Sequence, residues 1–235
     1  MKKYLYSNSW KLYKAHSELF VEDLSYYANF CQGKVTLELF AGYGRVANYL
    51  YELGVDIECV ELEERFSNCI ILPSEKIHTL DVLDFRPNTL YERIIGAYNS
   101  FCLLTDEESV RRFFNLISDW LIPYGRASFS YYNHEYWRQS QGCVFKLGDD
   151  DIKYISDFDF SEISSNQAIW IDNYINLNSG EQYKHEYPVK IYKDDSDVIG
   201  FLENTNLRLV DKVIDYNIEN ISDPGWVEYV FEKVS

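Results

Sequence analysis

The sequence predicts an α/β fold: a doubly wound, mostly parallel seven-stranded sheet with a C-terminal antiparallel hairpin, plus an inserted antiparallel β layer. Three observations carry this reading. Short apolar runs alternate with helix-period segments five times up to residue 132, the pattern of a parallel sheet covered by helices on both faces. The alternation stops at residues 143–192, where three strand-like runs follow one another with no helix between them. At Leu37–Arg45 a strand runs directly into a glycine turn and a helix, the arrangement that opens a ligand crevice at the carboxyl end of a strand.

The elements follow in order. Leu12, Ala15, Leu19, Phe20, Leu24 and Ala28 recur at helical spacing and predict one long or two short helices over 11–31, a lid comprising residues 1–34. A core over 35–142 begins with a strand at 35–40. The helix after the turn presents Val46, Leu50 and Leu53 on one face and ends at Gly54. Strands follow at 57–61, 77–80 and 93–98, with a helix from Glu63 to about Leu72 between the first two. Thr105 and Glu108 form a capping box for a helix carrying Val110, Phe113, Phe114, Ile117 and Leu121, and a fifth strand spans 126–132. The inserted layer, 143–192, holds strands near 151–160, 168–177 and 182–192, with Asn178-Ser179-Gly180 as a hairpin turn. Along 168–177 the pleat separates Ile169, Ile171, Ile175 and Leu177 from Trp170, Asp172, Tyr174 and Asn176. The isoleucine face is expected to pack on the domain and the other to meet substrate, solvent or a second subunit. Residues 193–235 complete the core sheet with a helix at 194–205 and strands at 207–216 and 226–234.

Composition narrows the function. A formal charge of −16 opposes contact with a phosphate backbone, so no nucleic acid partner is expected. No apolar stretch reaches the length of about 18 residues needed to span a bilayer, so no membrane partner is expected. The N-terminus turns polar at Ser7-Asn8-Ser9 without the apolar run of a signal peptide, and the five cysteines are scattered, with no C-x-x-C pair. A cytoplasmic protein with reduced thiols is expected. Metal motifs are absent: His134-Glu135 lacks the second histidine of H-E-x-x-H. The 21 tyrosines serve packing, or the walls of a pocket for a cationic ligand.

The chemistry centres on Glu38-Leu39-Phe40-Ala41-Gly42-Tyr43-Gly44-Arg45. Glycines let a ligand approach the backbone, and the helix N-terminus offers N–H groups to a carboxylate. Dinucleotide enzymes use G-x-G-x-x-G, with Ala47 here in the third position. The Glu38 carboxylate just before the turn would repel a diphosphate and attract an ammonium, which favours an amino-acid-bearing ligand.

The segment resembles the first motif of class I S-adenosylmethionine-dependent methyltransferases, acid-x-Gly-x-Gly-x-Gly, with Phe40 in place of the first glycine. The resemblance implies that Glu38 and the backbone around Phe40, Gly42 and Gly44 hold the methionine moiety, and it places Ala41 and Arg45 in the same cofactor site. Glu61, ending the second strand, resembles the ribose-binding acid of the second motif, with Leu62 beside it. Asp81 and Val82 match the adenine-contacting positions after strand three. Tyr98 and Asn99, in Ala97-Tyr98-Asn99-Ser100-Phe101, resemble the strand-four motif of small-molecule methyltransferases, and the later elements are similar in order to glycine and sugar-amine N-methyltransferases. The resemblance implies adenosylmethionine as cofactor, adenosylhomocysteine as product, and in-line methyl transfer to a small molecule, at an amine. His134 and Tyr132 are candidate proton acceptors, and Tyr26, Tyr27, Trp137 and Trp170 candidate substrate walls. A homodimer through the inserted layer is expected. The alternatives are an NAD-dependent oxidoreductase and a catalytically silent binding or scaffold protein of the same fold.

Overall fold

A computed structural model describes residues 10–131, 142–159, 166–221 and 224–235. His134, Tyr132 and Trp137 lie outside the described residues.

Two short helices, α1 (Trp10–Ser17) and α2 (Leu24–Cys31), precede the sheet. The core then alternates β1 (Thr36–Leu39), α3 (Arg45–Glu52), β2 (Ile57–Glu61), α4 (Glu64–Ser67), β3 (Ile77–Thr79), β4 (Tyr91–Gly96), α5 (Glu107–Trp120) and β5 (Leu121–Ser130). The inserted layer is β6 (Cys143–Leu147), β7 (Asp150–Asp159), β8 (Gln167–Asn176) and β9 (Gln182–Lys190). The chain closes with α6 (Asp195–Ile199), β10 (Leu207–Ile214) and β11 (Val227–Lys233). The main sheet has seven strands in the order β10-β11-β5-β4-β1-β2-β3, and the insert is a separate four-stranded antiparallel sheet. β11 is antiparallel to both β5 and β10, and the other pairs are parallel. Among the described residues no helix is long and apolar enough to cross a membrane.

β1 is buried at every position, as expected of a central parallel strand with helices on both faces. The Phe113–Phe114–Ile117 face of α5 fills the core on one side, and Val46, Ala47 and Leu50 of α3 fill it on the other. A third cluster joins Leu12 of α1 to Phe145, Ile152, Tyr154 and Tyr174 of the inserted sheet. This cluster places the insert and the N-terminal helix together over one edge of the core.

Several expectations are corrected. The cap of α5 is Asp106, whose carboxylate accepts the Ser109 N–H at 2.8 Å, not Thr105. A charged acceptor at a helix N-terminus gains from the helix dipole as well as the hydrogen bond. The carbonyl of Thr105 instead accepts from Gln167 of the insert at 3.0 Å. The helix after β2 lasts only to Ser67, because the chain tightens into i→i+3 turns and the Asn48 side chain captures the Ile71 N–H at 2.9 Å. The helix expected over 194–205 is limited to α6, which Gly200 ends, with single turns to Thr205. The insert has one strand more than expected, since β6 is short and pairs with β7 through the Gly148-Asp149 turn.

The pleat of β8 is reversed from expectation. Ala168, Asp172, Tyr174 and Asn176 are buried, whereas Ile169, Ile171 and Ile175 are half-buried and Leu177 is exposed. The inward face is chosen by its rings: Tyr174 packs with Tyr154 and Phe145, and a large ring buries more area than isoleucine.

Candidate functional site

The carboxyl ends of β1 and β4 open onto a cavity lined by Glu38, Phe40, Ala41, Gly42, Tyr43, Arg45, Val46, Ala97, Tyr98 and Ser100, with Tyr13 and Ser17 of α1 as its roof. The turn is built from left-handed backbone at Phe40 (φ 57°), Gly42 (57°) and Gly44 (85°). Phe40 thus takes the conformation that a glycine would take in its place, at a cost, and such strain is a feature of functional turns. A Cβ on Gly42 would meet nothing within 4 Å, so the backbone here faces open space, whereas one on Gly44 would strike Asn48 and Ile70.

Glu38 is only 2% exposed, and its Oε2 has no hydrogen-bond partner among the described residues. Burial pushes its pKa up to about 8, against the pull of the Arg45 guanidinium and the Ala47 N–H. Arg45 is held by Asp23 in a two-pronged pair of 2.6 and 2.5 Å, and by the Phe20 carbonyl at 2.8 Å. Burial works against its charge, and the bonds and attraction of Asp23 more than offset this, so it stays charged. Glu61 accepts the Gly42 N–H at 2.7 Å and the Glu63 N–H at 2.8 Å, tying the end of β2 to the turn. A carboxylate has lone-pair positions for further donors beyond these two.

Tyr98 and Asn99 are consecutive left-handed residues (φ 59° and 55°) at the end of β4. The Asn99 N–H donates to Ser130 at 2.7 Å, and its buried Oδ1 has no partner among the described residues. Asp81 is half-buried and accepts the Leu83 N–H at 2.9 Å, with Val82 buried and Leu62 half-buried nearby in sequence order along the sheet edge.

The structure therefore brings Glu38, Phe40, Ala41, Gly42, Arg45 and Tyr98 to one cavity. Gly44 caps the adjoining helix, and Glu61 is joined to the turn by hydrogen bond. Asp81, Val82, Leu62 and Asn99 sit at the same sheet edge without lining that cavity. Tyr26 and Tyr27 do not wall it: Tyr26 bonds Ser128 at 2.9 Å, and the fully buried Tyr27 donates to Glu228 at 2.6 Å. The helix-borne tyrosine that does is Tyr13, and sequence reasoning missed it, as it missed Ser17, Tyr43 and the Asp23 clamp. Trp170 lies on the insert, where its indole N–H donates to Asp172 at 2.7 Å.

Two buried carboxyls give the protein a pH signature. Glu38 and Glu228 are each raised to about 8, mainly by burial. The folded state binds these protons more tightly than the unfolded chain, so their stabilising contribution is complete below the ordinary carboxyl range and is lost as pH rises through about 8. His16, lowered by burial to about 3, acts oppositely, but only below its ordinary value of about 6.5. Between pH ~6.5 and ~8 the ligand-free protein is therefore expected to melt at progressively lower temperature by calorimetry. A flat or rising melting temperature across that window would mean that both carboxyls are already ionised.

No protein-family sequence profile matches the chain, and no curated protein matches it in sequence. Solved structures do match in fold. An adenosylmethionine-bound amino pentose methyltransferase from Micromonospora echinaspora, involved in calicheamicin biosynthesis, superposes with a TM-score of 0.77 at 11% identity over 100% of both chains. A sugar N-methyltransferase from Streptoalloteichus gives 0.75 at 13% identity over 100% of this chain and 98% of that one. A S-adenosylmethionine-dependent methyltransferase from Clostridium acetobutylicum gives 0.70 at 15% identity, covering 96% and 97%. The seven-stranded sheet, its antiparallel β11 and the inserted antiparallel layer are thus the fold of S-adenosylmethionine-dependent methyltransferases.

Proposed function

We propose that the protein is a S-adenosylmethionine-dependent methyltransferase that acts on a small molecule, at an amine, by direct in-line transfer. The observation that carries this reading is the buried Glu38 carboxyl, its Oε2 lacking a partner among the described residues, beside a left-handed glycine turn whose Gly42 faces open space. That donor set fits an ammonium and a close-lying amino-acid backbone. It favours an ammonium over the diphosphate of a nicotinamide dinucleotide, since an ammonium is paired by the ionised carboxylate whereas a diphosphate would be repelled by it. Glu38 and the Phe40–Gly44 backbone would hold the methionine end, Glu61 and Leu62 the ribose, and Asp81 and Val82 the adenine, with Tyr98 and Asn99 bordering the reacting end.

When bound, adenosylmethionine supplies a methyl group already activated by its sulfonium. The chain's own part is to orient and to exclude water. Tyr13, Tyr43 and Tyr98 line the cavity, and aromatic walls suit a cationic centre. The two sugar-directed neighbours support an amine acceptor, as does the acidic, tyrosine-rich character of the chain. The free thiols of all five cysteines suit a reducing, cytoplasmic setting, and the half-buried isoleucine face of β8 is where we place a homodimer contact.

Calorimetric titration with adenosylmethionine and with NAD tests the cofactor, and transfer of a labelled methyl group across a panel of amines, alcohols and carboxylic acids tests the acceptor. Binding of NAD alone would make the protein an oxidoreductase. Cofactor binding with no transfer to any member would leave a silent binding protein. Glu61→Ala is expected to weaken adenosylmethionine about tenfold or more while the protein stays folded, since charge-assisted hydrogen bonds worth about 1.5–3 kcal/mol are lost. Unchanged affinity would place Glu61 outside the site.

A further inference from the structure

The inserted sheet turns its ring-bearing face toward the core, and that face contains one buried carboxylate among its described residues. Asp172 of β8 is 2% exposed. Its Oδ1 accepts from the Tyr154 hydroxyl at 2.7 Å and the Trp170 indole N–H at 2.7 Å, and the Tyr187 hydroxyl reaches Oδ2 at 3.4 Å. In the ladder it stands opposite Ser156 on β7 and His185 on β9. Burial lowers the pKa of His185, which favours the neutral form of this neighbour.

Rings enclose this group. Tyr154 stacks on His16 with centroids 3.6 Å apart, and Tyr174 lies 5.1 Å from Tyr154. Tyr13 and Tyr98, which line the cofactor cavity, are 6.4 Å apart. Tyr13 lines the cofactor cavity and packs against the cluster that contains Tyr154 and Tyr174, so it stands between the cavity and the Asp172 face. A second observation points independently to a ligand. Tyr174 is fully enclosed, yet its hydroxyl has no hydrogen-bond partner among the described residues. A buried hydroxyl left that way costs free energy, and an incoming donor or acceptor removes the cost.

We propose that Asp172 binds the methyl acceptor, and that the acceptor is an amine presented between the Tyr13–Tyr98 pair and the Asp172 face, with the Tyr174 hydroxyl as its second polar contact. This rests on the proposed methyl transfer and names the residue that selects the acceptor. Trp170 and Tyr187, which hold the carboxylate, are themselves only half-buried. In the transfer the nitrogen lone pair forms the new N–C bond while the C–S bond electrons return to sulfur. The positive charge leaves the sulfur and appears on nitrogen beside Asp172. A fixed carboxylate there is stronger against the product-like ammonium than against a neutral amine, which is the condition for accelerating the step. The nitrogen proton is then released to solvent. An alcohol in the same place would gain much less from the carboxylate.

The test uses the full chain saturated with adenosylhomocysteine and two probes of the same shape, benzylammonium and benzyl alcohol, titrated by calorimetry or NMR. Benzylammonium is expected to bind at least tenfold tighter than benzyl alcohol to the unaltered protein, and Asp172→Asn is expected to remove that preference without changing adenosylhomocysteine affinity. Tyr174→Phe removes a hydroxyl that makes no hydrogen bond among the described residues, so it is expected to keep the melting temperature and weaken benzylammonium several-fold. It decides the matter if Asp172→Asn does not fold. No preference for the amine, or equal benzylammonium affinity in the folded variants, overturns the proposal. Failure of adenosylhomocysteine to bind the unaltered protein would instead overturn the methyltransferase reading itself.

Discussion

Glu38→Gln is expected to weaken adenosylmethionine binding by a hundredfold or more, with the fold intact. Glutamine keeps the volume of the side chain and one carbonyl acceptor, but removes the charge that would face the cofactor's ammonium in a site only 2% exposed. Removing one partner of a buried ion pair costs about 3–5 kcal/mol, because the other charge is left without compensation. The same residue sets a pH signature for binding. Without ligand, burial holds the carboxyl near 8, so at pH 7 it is mostly protonated, and an arriving ammonium must displace that proton. Affinity is therefore expected to rise with pH up to about 8, with proton uptake by buffer on binding at pH 7. Calorimetry in two buffers of different ionisation enthalpy reads this directly, and the proton release should vanish in Glu38→Gln. Equal cofactor affinity in the variant would remove Glu38 from the site and with it the main reason for preferring adenosylmethionine over a dinucleotide.

The parts of this molecule that were legible in the sequence are those written contiguously. Leu37 to Arg45 carries strand, turn and helix start within a few residues, and six of the residues read from sequence as cofactor-binding line the observed cavity. The alternation that gives a parallel sheet is also local, since each strand and helix announces itself by its own period. What the sequence hid depends on partners brought from elsewhere. Asp23 reads as an ordinary polar residue between two helices until folding places it against Arg45. Tyr13 and Tyr26 are equally plausible walls on paper, and only the packing of α1 under the insert, with α2 against the core, separates them. The reversed pleat of β8 has the same origin. Alternation distinguishes two faces but does not say which is inside, and here the aromatic rings of α1 make the Tyr174 side the better-matched one. Asp172, which the pattern puts on a face expected to meet substrate, solvent or a second subunit, becomes buried as a consequence.

Asp23→Ala is expected to be the most damaging substitution for stability outside the apolar core. Asp23 is wholly buried, its partner Arg45 nearly so, and the two meet in a fork of 2.6 and 2.5 Å. Arg45 also donates to the Phe20 carbonyl and lies over the rings of Phe20 at 5.5 Å and Tyr98 at 5.4 Å. One guanidinium thus fastens the α1–α2 junction to the first residue of α3 and to the end of β4. Leaving it buried without its carboxylate should cost about 3–5 kcal/mol, or a fall in melting temperature of roughly 6–20 °C for a chain of this size. The pair also fixes the roof of the cavity, since Tyr13 and Ser17 are carried by α1, so adenosylmethionine affinity should fall along with stability. The double variant Asp23→Leu with Arg45→Met separates the two roles. Apolar residues of similar volume often replace a buried ion pair at little or no cost in stability, so the double variant is expected to recover much of the melting temperature. It should not recover cofactor affinity, because Arg45 itself lines the cavity and its guanidinium is gone from there. A melting temperature for Asp23→Ala within about 2 °C of the unaltered protein, less than the shift expected from 1 kcal/mol, would show that the helices are held by their apolar contacts instead.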